Sequence, residues 1–167
     1  MGIGQRPILE ALAEMDESSR QAAEAVLHRH EEEAAANSSL TQGCHEALAW
    51  LRQHAIKTAL ITRNRRASVR TVCERHGLSF DVFLTREDGK FKPDPAPLLE
   101  ACQRLGARVE HAWMVGDGEY DVAAGKAAGI ATVWVSHGLP RPFAARPWRE
   151  VHDLEELTRL LASCLSS

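Results

Sequence analysis

Short apolar runs alternate with amphipathic segments over most of this chain of 167 residues. Runs rich in Val, Ile, Leu and Ala predict strands at 57–62, 82–85, 113–115 and 130–135. Helical periodicity between and beyond these runs predicts helices at 46–54, 67–76, 97–105 and 154–161. Strands that alternate with helices in this way are typical of a parallel sheet with right-handed crossovers. We therefore expect an α/β fold, a Rossmann-like parallel sheet with flanking helices.

The part of the chain before this alternation has a different pattern. From Pro7 to about Asn37 the sequence is rich in Ala, Glu, Leu and Arg, and Asp16 is placed to cap a second helix. This predicts a helical hairpin, and we interpret the acidic triplet 31–33 at its end as a solvated face. A polar stretch follows up to Gly43. The chain is accordingly divided into a helical segment at 1–42 and an α/β core at 43–167.

The composition limits the cellular compartment and the classes of binding partner that we expect. A net charge of −3 gives no reason to expect binding to nucleic acid or to an anionic membrane. The cysteines form no Cys-x-x-Cys pair, so neither a zinc site nor a disulfide framework is indicated. No run approaches the roughly 18 apolar residues of a membrane span, and the first residues lack the apolar region of a signal peptide. A reducing, cytoplasmic setting is expected, and the oligomeric state is left open.

Two carboxylates follow the apolar run that ends at Val115. Asp117 comes at the end of a strand predicted to be buried, and Asp121 lies four positions later, at the start of a helix. Open α/β folds bind ligands at the carboxyl edge of the sheet, and Mg²⁺ is held by one or two carboxylates together with phosphate oxygens. Asp117 and Asp121 are therefore candidate metal ligands. A Gly-Asp turn followed by a helix-capping carboxylate is the competing interpretation.

Two further clusters fall at the ends of predicted strands or in loops that lead into helices. A hydroxyl, a guanidinium and an amide follow one strand at Thr62, Arg63 and Asn64, where they could bind an anion, although Thr-x-Asn is also an ordinary helix-capping sequence. Lys92 lies in a proline-stiffened loop that could hold its ammonium in place as a point charge for phosphate, although a surface lysine would be commoner. The candidate phosphate-binding residues are Thr62, Arg63, Asn64 and Lys92.

The order of these clusters is more specific than any one of them. A strand ending in Thr, a Lys-Pro-Asp-Pro loop and an apolar strand ending in Gly-Asp-x-x-x-Asp together resemble the haloacid dehalogenase-like hydrolases, specifically the phosphoglycolate-phosphatase-like branch. The resemblance implies that Thr62 is a phosphate-binding hydroxyl and that Lys92 neutralises the phosphoryl group. It also implies that Asp117 is a Mg²⁺ ligand, that Asp121 supports the metal through water, and that the hairpin belongs to a small helical cap.

One feature of that family is absent from this sequence. Its members carry, near the N-terminus, an apolar strand ending in Asp-x-Asp-Gly-Thr, whose first Asp is the nucleophile. The single aspartate before residue 81 is Asp16, which is flanked by helix formers and is interpreted as a helix cap. The resemblance places the missing strand centrally, between those ending at Thr62 and Asp117. The flanking strands could close up, another segment could fill the slot, or the natural protein could start upstream of Met1, which we favour.

The leading hypothesis is a Mg²⁺-dependent phosphomonoester hydrolase that acts on a small phosphorylated metabolite through an aspartyl-phosphate, with Lys92 and Asp117 as catalytic residues. Without the nucleophile segment, the chain is expected to have little or no activity. The first alternative is a catalytically silent relative that binds a protein or a phosphorylated ligand. The second is a receiver-like or other doubly wound domain, in which the Lys-Pro-Asp-Pro loop has no obvious use.

Overall fold

A computed structural model of the chain describes residues 8–165. The helices in this range are α1 (Ile8–Ala13), α2 (Glu17–Ala36), α3 (Cys44–Gln53), α4 (Arg66–His76), α5 (Ala96–Leu105), α6 (Glu119–Ala128) and α7 (Leu154–Leu165). The strands are β1 (Ala59–Ile61), β2 (Val82–Leu84), β3 (Trp113–Gly116), β4 (Ala131–Val135) and β5 (Arg149–Val151). Short 3-10 helices occur at Arg86–Asp88 and Val109–His111.

The predicted helical hairpin is observed in α1 and α2. Asp16 is the N-cap of α2, and its Oδ1 accepts a hydrogen bond from the Ser19 backbone N–H at 3.0 Å. Such a cap satisfies one of the amide groups that the first turn of a helix leaves without a partner. The start of the predicted hairpin at Pro7, like the rest of 1–7, lies outside the described residues. The boundary at 42/43 stays a prediction.

Every strand pair is parallel, which confirms the α/β prediction. In the first sheet β1 pairs with β2, with Leu60 opposite Phe83. In the second sheet the order is β3-β4-β5, with Val115 opposite Val133. The sequence did not predict β5, because its three residues include two exposed polar ones and follow a proline-rich segment that resembles irregular structure.

The strands form two sheets and not one. Within residues 8–165, β1 pairs with β2 alone and β3 pairs with β4 alone. All three residues of β1 are only half-buried, and Val115 of β3 is 37% exposed, whereas Val133 of β4 is fully buried. The two strands therefore lack the coverage that a parallel sheet usually has on both faces. The expectation that a further strand belongs between them stays a prediction.

Helices cover both faces of the second sheet, and α5 connects the two sheets. On one face, Leu98 of α5 packs with Met114 of β3, and Ile61 of β1 joins the same cluster. On the other face, Leu157 of α7 packs against Val133. Alternate strand residues point to opposite faces, so both helical layers can bury a set of side chains from the same strand.

A close approach between α6 and β4 explains one glycine. A Cβ atom added at Gly125 would overlap the Thr132 Oγ1 atom, so this helix position requires a residue without a side chain. The approach places the first turn of α6 against the end of β3, where the candidate site lies. In the part of the chain that is described, no helix is long and apolar enough to cross a membrane.

Candidate active site

Lys92 and Asp121 form a close ion pair at the carboxyl edge of the sheets. The Lys92 Nζ atom donates to Asp121 Oδ1 at 2.5 Å, and the two side chains are 11% and 9% exposed. Asp121 Oδ2 accepts from the Gly118 backbone N–H at 3.0 Å, closing the first turn of α6. The surface-lysine alternative is therefore wrong for Lys92, whereas the helix-capping alternative is confirmed for Asp121.

Asp117 lies in the same motif but in a different environment. Its side chain is 72% exposed, and its Oδ2 atom lies 3.9 Å from His137 Nε2. Its backbone carbonyl accepts a hydrogen bond from Trp134 Nε1 at 2.8 Å, and Trp134 is 2% exposed. The main chain at Asp117 is thus held by a buried indole, while the carboxylate is available to a ligand.

Thr62 and Asn64 turn the chain at the end of β1. The Thr62 backbone N–H donates to the Leu84 carbonyl at 2.9 Å, and Thr62 Oγ1 accepts from the Asn64 backbone N–H at 3.1 Å. Helix α4 begins after its N-cap, Arg65, which makes no capping hydrogen bond with its side chain. The helix-capping interpretation of Thr-x-Asn is therefore wrong. The phosphate-binding roles of Thr62 and Asn64 stay predictions.

Arg63 brings the loops of the site together. Its NH1 group donates to the Lys92 carbonyl oxygen at 2.6 Å, and its guanidinium lies 4.3 Å from the ring centroid of Tyr120 and 4.9 Å from that of Phe91. The other terminal nitrogen donates to both carboxylate oxygens of Glu10, at 2.8 Å and 2.7 Å. The loops carrying Thr62, Lys92 and the start of α6 are thus in contact through one side chain.

The pKa of Glu10 is shifted by this contact. Partial burial raises the pKa of the carboxyl group, but the hydrogen bonds and positive charge of Arg63 outweigh that effect and leave the pKa below its ordinary value. Glu10 is therefore held as a carboxylate, with both its oxygens hydrogen-bonded to one terminal nitrogen of the guanidinium.

Sequence reasoning did not predict that acidic residues of the hairpin bind the core. Glu31 forms an ion pair with Arg86, and the two side chains are 13% and 12% exposed. Glu32 approaches Arg65 at 3.7 Å. The interpretation of the acidic triplet as a solvated face is thus wrong for Glu31. A signal was present in the basic run at 63–66, but opposite charges far apart in sequence identify no partner without the fold.

A separate cleft lies at the other edge of the first sheet. It has a volume of about 250 Å³ and is lined in part by Thr58 and Asp81, which directly precede β1 and β2. The candidate site is at the carboxyl ends of the strands, so this cleft is distinct from it. Parallel α/β sheets place their ligands at the carboxyl edge, which favours the site at Lys92 and Asp117.

Comparison with known families agrees with this geometry. Residues 1–135 match the family described as haloacid dehalogenase-like hydrolase. The chain belongs to that family. The haloacid dehalogenase-like resemblance inferred from the strand-end residues is therefore confirmed, together with the fold class that it implied.

Named relatives include two kinds of phosphatase. A pyrophosphatase PpaX of Bacillus cereus is 32% identical over 120 residues, which are 70% of this chain and 56% of that protein. A phosphoglycolate phosphatase of Cupriavidus necator is 34% identical over 122 residues, or 71% of this chain and 53% of that protein. The chain spans about half the length of the curated relatives it matches. Across five of these relatives, the matched part is 42% to 60% of the relative's length.

Solved structures share the architecture. A HAD phosphatase from Thermococcus onnurineus superposes with a TM-score of 0.70 at 30% identity, covering 78% of this chain and 61% of its own. A 2-haloacid dehalogenase from Pseudomonas syringae superposes with a TM-score of 0.69 at 28% identity, covering 91% and 66%. Phosphatases and a dehalogenase share this haloacid dehalogenase-like fold, so the residues of the site must decide between these activities.

The oxygen donors of the site decide which of its residues could hold a metal ion. No group of three or more His, Cys, Asp or Glu side chains in residues 8–165 is arranged to hold a metal. The exposed Asp117 carboxylate fits Mg²⁺ as a single hard oxygen ligand, since this ion often takes one or two carboxylates and completes its shell with water and phosphate. Asp121 fits less well as a direct ligand, because both its oxygens accept hydrogen bonds from the protein.

Proposed function

We propose that this chain is the phosphate-binding part of a Mg²⁺-dependent phosphomonoester hydrolase for a small phosphorylated metabolite. The observation that supports this most directly is the buried Lys92–Asp121 pair beside the exposed Asp117, in contact through Arg63 with the Thr62 loop. A cation, a hydroxyl and a free carboxylate at one sheet edge are the groups that a phosphoryl group and its metal require.

Each residue has a role in the proposed reaction. The Lys92 ammonium offsets negative charge on the phosphoryl oxygens, and Thr62 Oγ positions one of those oxygens. Asp117 would hold Mg²⁺, which when bound supplies further charge neutralisation. Asp121 acts through its hydrogen bond to Lys92, which fixes the ammonium in place. A cytoplasmic setting belongs to this proposal.

Residues 8–165 do not supply the nucleophile of this chemistry or the acid that protonates the leaving group. In the proposed reaction the first aspartate of Asp-x-Asp-Gly-Thr attacks phosphorus in line, the second aspartate gives its proton to the leaving ester oxygen, and water then hydrolyses the aspartyl-phosphate. Asp16 does not fit this role, because both its oxygens accept hydrogen bonds from Ser19 as the cap of α2. We therefore expect little or no turnover by the 167-residue chain.

Two preparations test the proposal. A protein extended at its N-terminus by a segment with Asp-x-Asp-Gly-Thr should hydrolyse p-nitrophenyl phosphate only when Mg²⁺ is present. Asp117→Ala should lower that activity by about a hundredfold or more, since a metal ligand is lost. Glu119→Ala, which removes an exposed carboxylate two positions away, is the matched control and should retain activity. Full activity in Asp117→Ala would rule out the assignment.

The alternative is a catalytically silent member that binds a phosphorylated ligand. It is favoured by the presence of the Lys92–Asp121 site in residues 8–165 without a strand between β1 and β3. Mg²⁺-dependent binding of inorganic phosphate without turnover, in both the 167-residue and the extended protein, would support it. Turnover by the extended protein alone would support the hydrolase.

A further inference from the structure

Three of the contacts that position Arg63 come from the core. Its guanidinium contacts the rings of Tyr120 and Phe91 and donates to the Lys92 carbonyl oxygen, and its side chain is 17% exposed. Stacking on aromatic rings and a fixed hydrogen bond preorganise a guanidinium for planar recognition. These three partners all belong to the core, whereas Glu10 belongs to the hairpin, so Arg63 keeps three of its contacts when Glu10 is displaced.

Glu10 is the more loosely held partner. Its side chain is 41% exposed, it lies in the six-residue helix α1, and it presents both carboxylate oxygens to one terminal nitrogen of Arg63. A carboxylate therefore already occupies a preformed guanidinium site, and that carboxylate is partly accessible to solvent. A ligand carboxylate would make the same charge-assisted hydrogen bonds.

The distance between this guanidinium and the candidate phosphate site has an upper limit. Arg63 binds the backbone carbonyl of the same lysine whose ammonium is proposed to bind phosphate. The two cationic groups are therefore separated by no more than the reach of one lysine residue, from its carbonyl oxygen to its ammonium, plus one hydrogen bond. A small molecule with a phosphoryl group and a carboxylate a few bonds apart matches this spacing. When a phosphate ester without a carboxylate binds, Arg63 stays paired with Glu10.

We propose that Arg63 is a specificity residue that binds the carboxylate of a phosphorylated hydroxy acid, and that Glu10 occupies this position until the substrate displaces it. The inference rests on the proposed function and names its substrate class. It assigns Arg63 to the carboxylate and not to the phosphoryl group. Of the two activities carried by the named relatives, it favours the one whose substrate contains a carboxylate over the hydrolysis of pyrophosphate.

Calorimetric titration of the 167-residue protein with Mg²⁺ present tests this without any need for turnover. The probes are 2-phosphoglycolate, ethyl phosphate, which lacks the carboxylate, and inorganic phosphate. We expect 2-phosphoglycolate to bind about threefold more tightly than ethyl phosphate, because its carboxylate replaces the partly exposed Glu10 carboxylate on Arg63. Glu10→Gln should widen this preference by about threefold to fivefold, as the competing carboxylate is neutralised.

Matched variants separate competition from loosening of the hairpin. Glu31→Gln breaks a different carboxylate–arginine contact between hairpin and core, and it should leave the preference for 2-phosphoglycolate unchanged. Arg63→Met should reduce the preference to about one, and Arg63→Lys should restore part of it, since a charge without the planar fork binds a carboxylate less well. If Arg63→Met does not fold, the comparison of Glu10→Gln with Glu31→Gln still decides.

The outcomes distinguish the two proposals. Equal affinities for 2-phosphoglycolate and ethyl phosphate in Glu10→Gln, or the same gain in Glu31→Gln, would overturn the carboxylate assignment while leaving the phosphate site intact. Failure of all three probes to bind would overturn the proposed function and this inference with it. A preference that grows in Glu10→Gln and is lost in Arg63→Met would support both.

Discussion

The loop that carries Asp117 and the first turn of α6, which carries Asp121, are adjacent but differ in what surrounds them. The Asp121 carboxylate is 9% exposed and bonded through both oxygens, to Lys92 and to the Gly118 amide. The Asp117 carboxylate is 72% exposed, while its backbone is held by Trp134. Asp121 is buried and hydrogen-bonded within the fold, whereas the Asp117 carboxylate faces solvent. The contrast supports the proposal that Asp117 binds the metal, while Asp121 holds the first turn of α6 and Lys92 in place.

The largest expected effect is on the buried pair. Asp121→Ala leaves Lys92 nearly buried without its partner and should lower the free energy of unfolding by about 3–5 kcal/mol. Asp117→Ala changes an exposed side chain and should lower it by no more than about 0.5 kcal/mol. Urea unfolding followed by circular dichroism measures both. Similar losses in the two variants would contradict the conclusion that Asp121, and not Asp117, stabilises the fold.

A second substitution, at Gly116, is expected to disrupt the Lys92–Asp121 pair from the main chain of β3. A Cβ atom added at Gly116 would overlap Asp121 Cγ and Oδ2, so Gly116→Ala should displace the carboxylate and lower the free energy of unfolding by about 1–3 kcal/mol. At Gly118 an added Cβ atom meets Asp121 Oδ2 at 3.5 Å, an ordinary contact. Gly118→Ala is therefore the control, with a loss below about 1 kcal/mol in the same unfolding measurement. The reverse order of the two losses would contradict this account.

A third carboxylate, that of Asp88, is expected to make the stability of the fold depend on pH. Asp88 accepts from the Thr85 backbone N–H at 2.8 Å and from Thr85 Oγ1 at 2.7 Å, and it pairs with Arg66. Partial burial raises the pKa of Asp88, but these hydrogen bonds and the Arg66 charge outweigh it and hold the pKa below its ordinary value. Its folded form thus binds the proton more weakly than its unfolded form does.

The sign of the pH effect follows from that shift. The contribution of Asp88 to stability is fully present above the unfolded pKa, near pH 4, and is lost as the pH falls through the lower folded value. Asp88→Asn should lower the free energy of unfolding at pH 7 by about 1 kcal/mol and flatten its decline below pH 4. Thermal unfolding at pH 7 and at pH 3 gives both quantities. An unchanged acid decline in the variant would count against this role.

The last substitution concerns the loop of the exposed member of the comparison. Trp134→Phe removes the hydrogen bond to the Asp117 carbonyl oxygen and part of a buried ring, and should lower the free energy of unfolding by about 1–2 kcal/mol. Because the bond positions the loop of the proposed metal ligand, Mg²⁺ affinity should fall by about tenfold. Trp113→Phe, on the neighbouring strand, is the control. Calorimetric Mg²⁺ titration that shows equal affinity in both variants would argue against a positioning role.

Much of this protein was predictable from local pattern. Apolar runs bounded by polar or small residues predicted β1 to β4, because a strand buried by helices needs a continuous apolar stretch. Glycines 77 and 106 ended their helices as expected, each with a positive φ. The order of the strand-end residues identified the family, since parallel strands bring their carboxyl ends to one edge whatever the loops between them do.

Only the tertiary structure decided which polar groups are partners. The sequence predicted that carboxylates and cations lie at one edge, but it left both Asp117 and Asp121 as candidate metal ligands and made Glu31 a surface residue. In the fold, Lys92 contacts Asp121, Arg63 contacts Glu10 and the Lys92 carbonyl, and the indole of Trp134 reaches Asp117. The physical reason is range: hydrophobic periodicity is read over a few neighbours, whereas an ion pair depends on atoms brought within a few ångströms by the packing of distant segments.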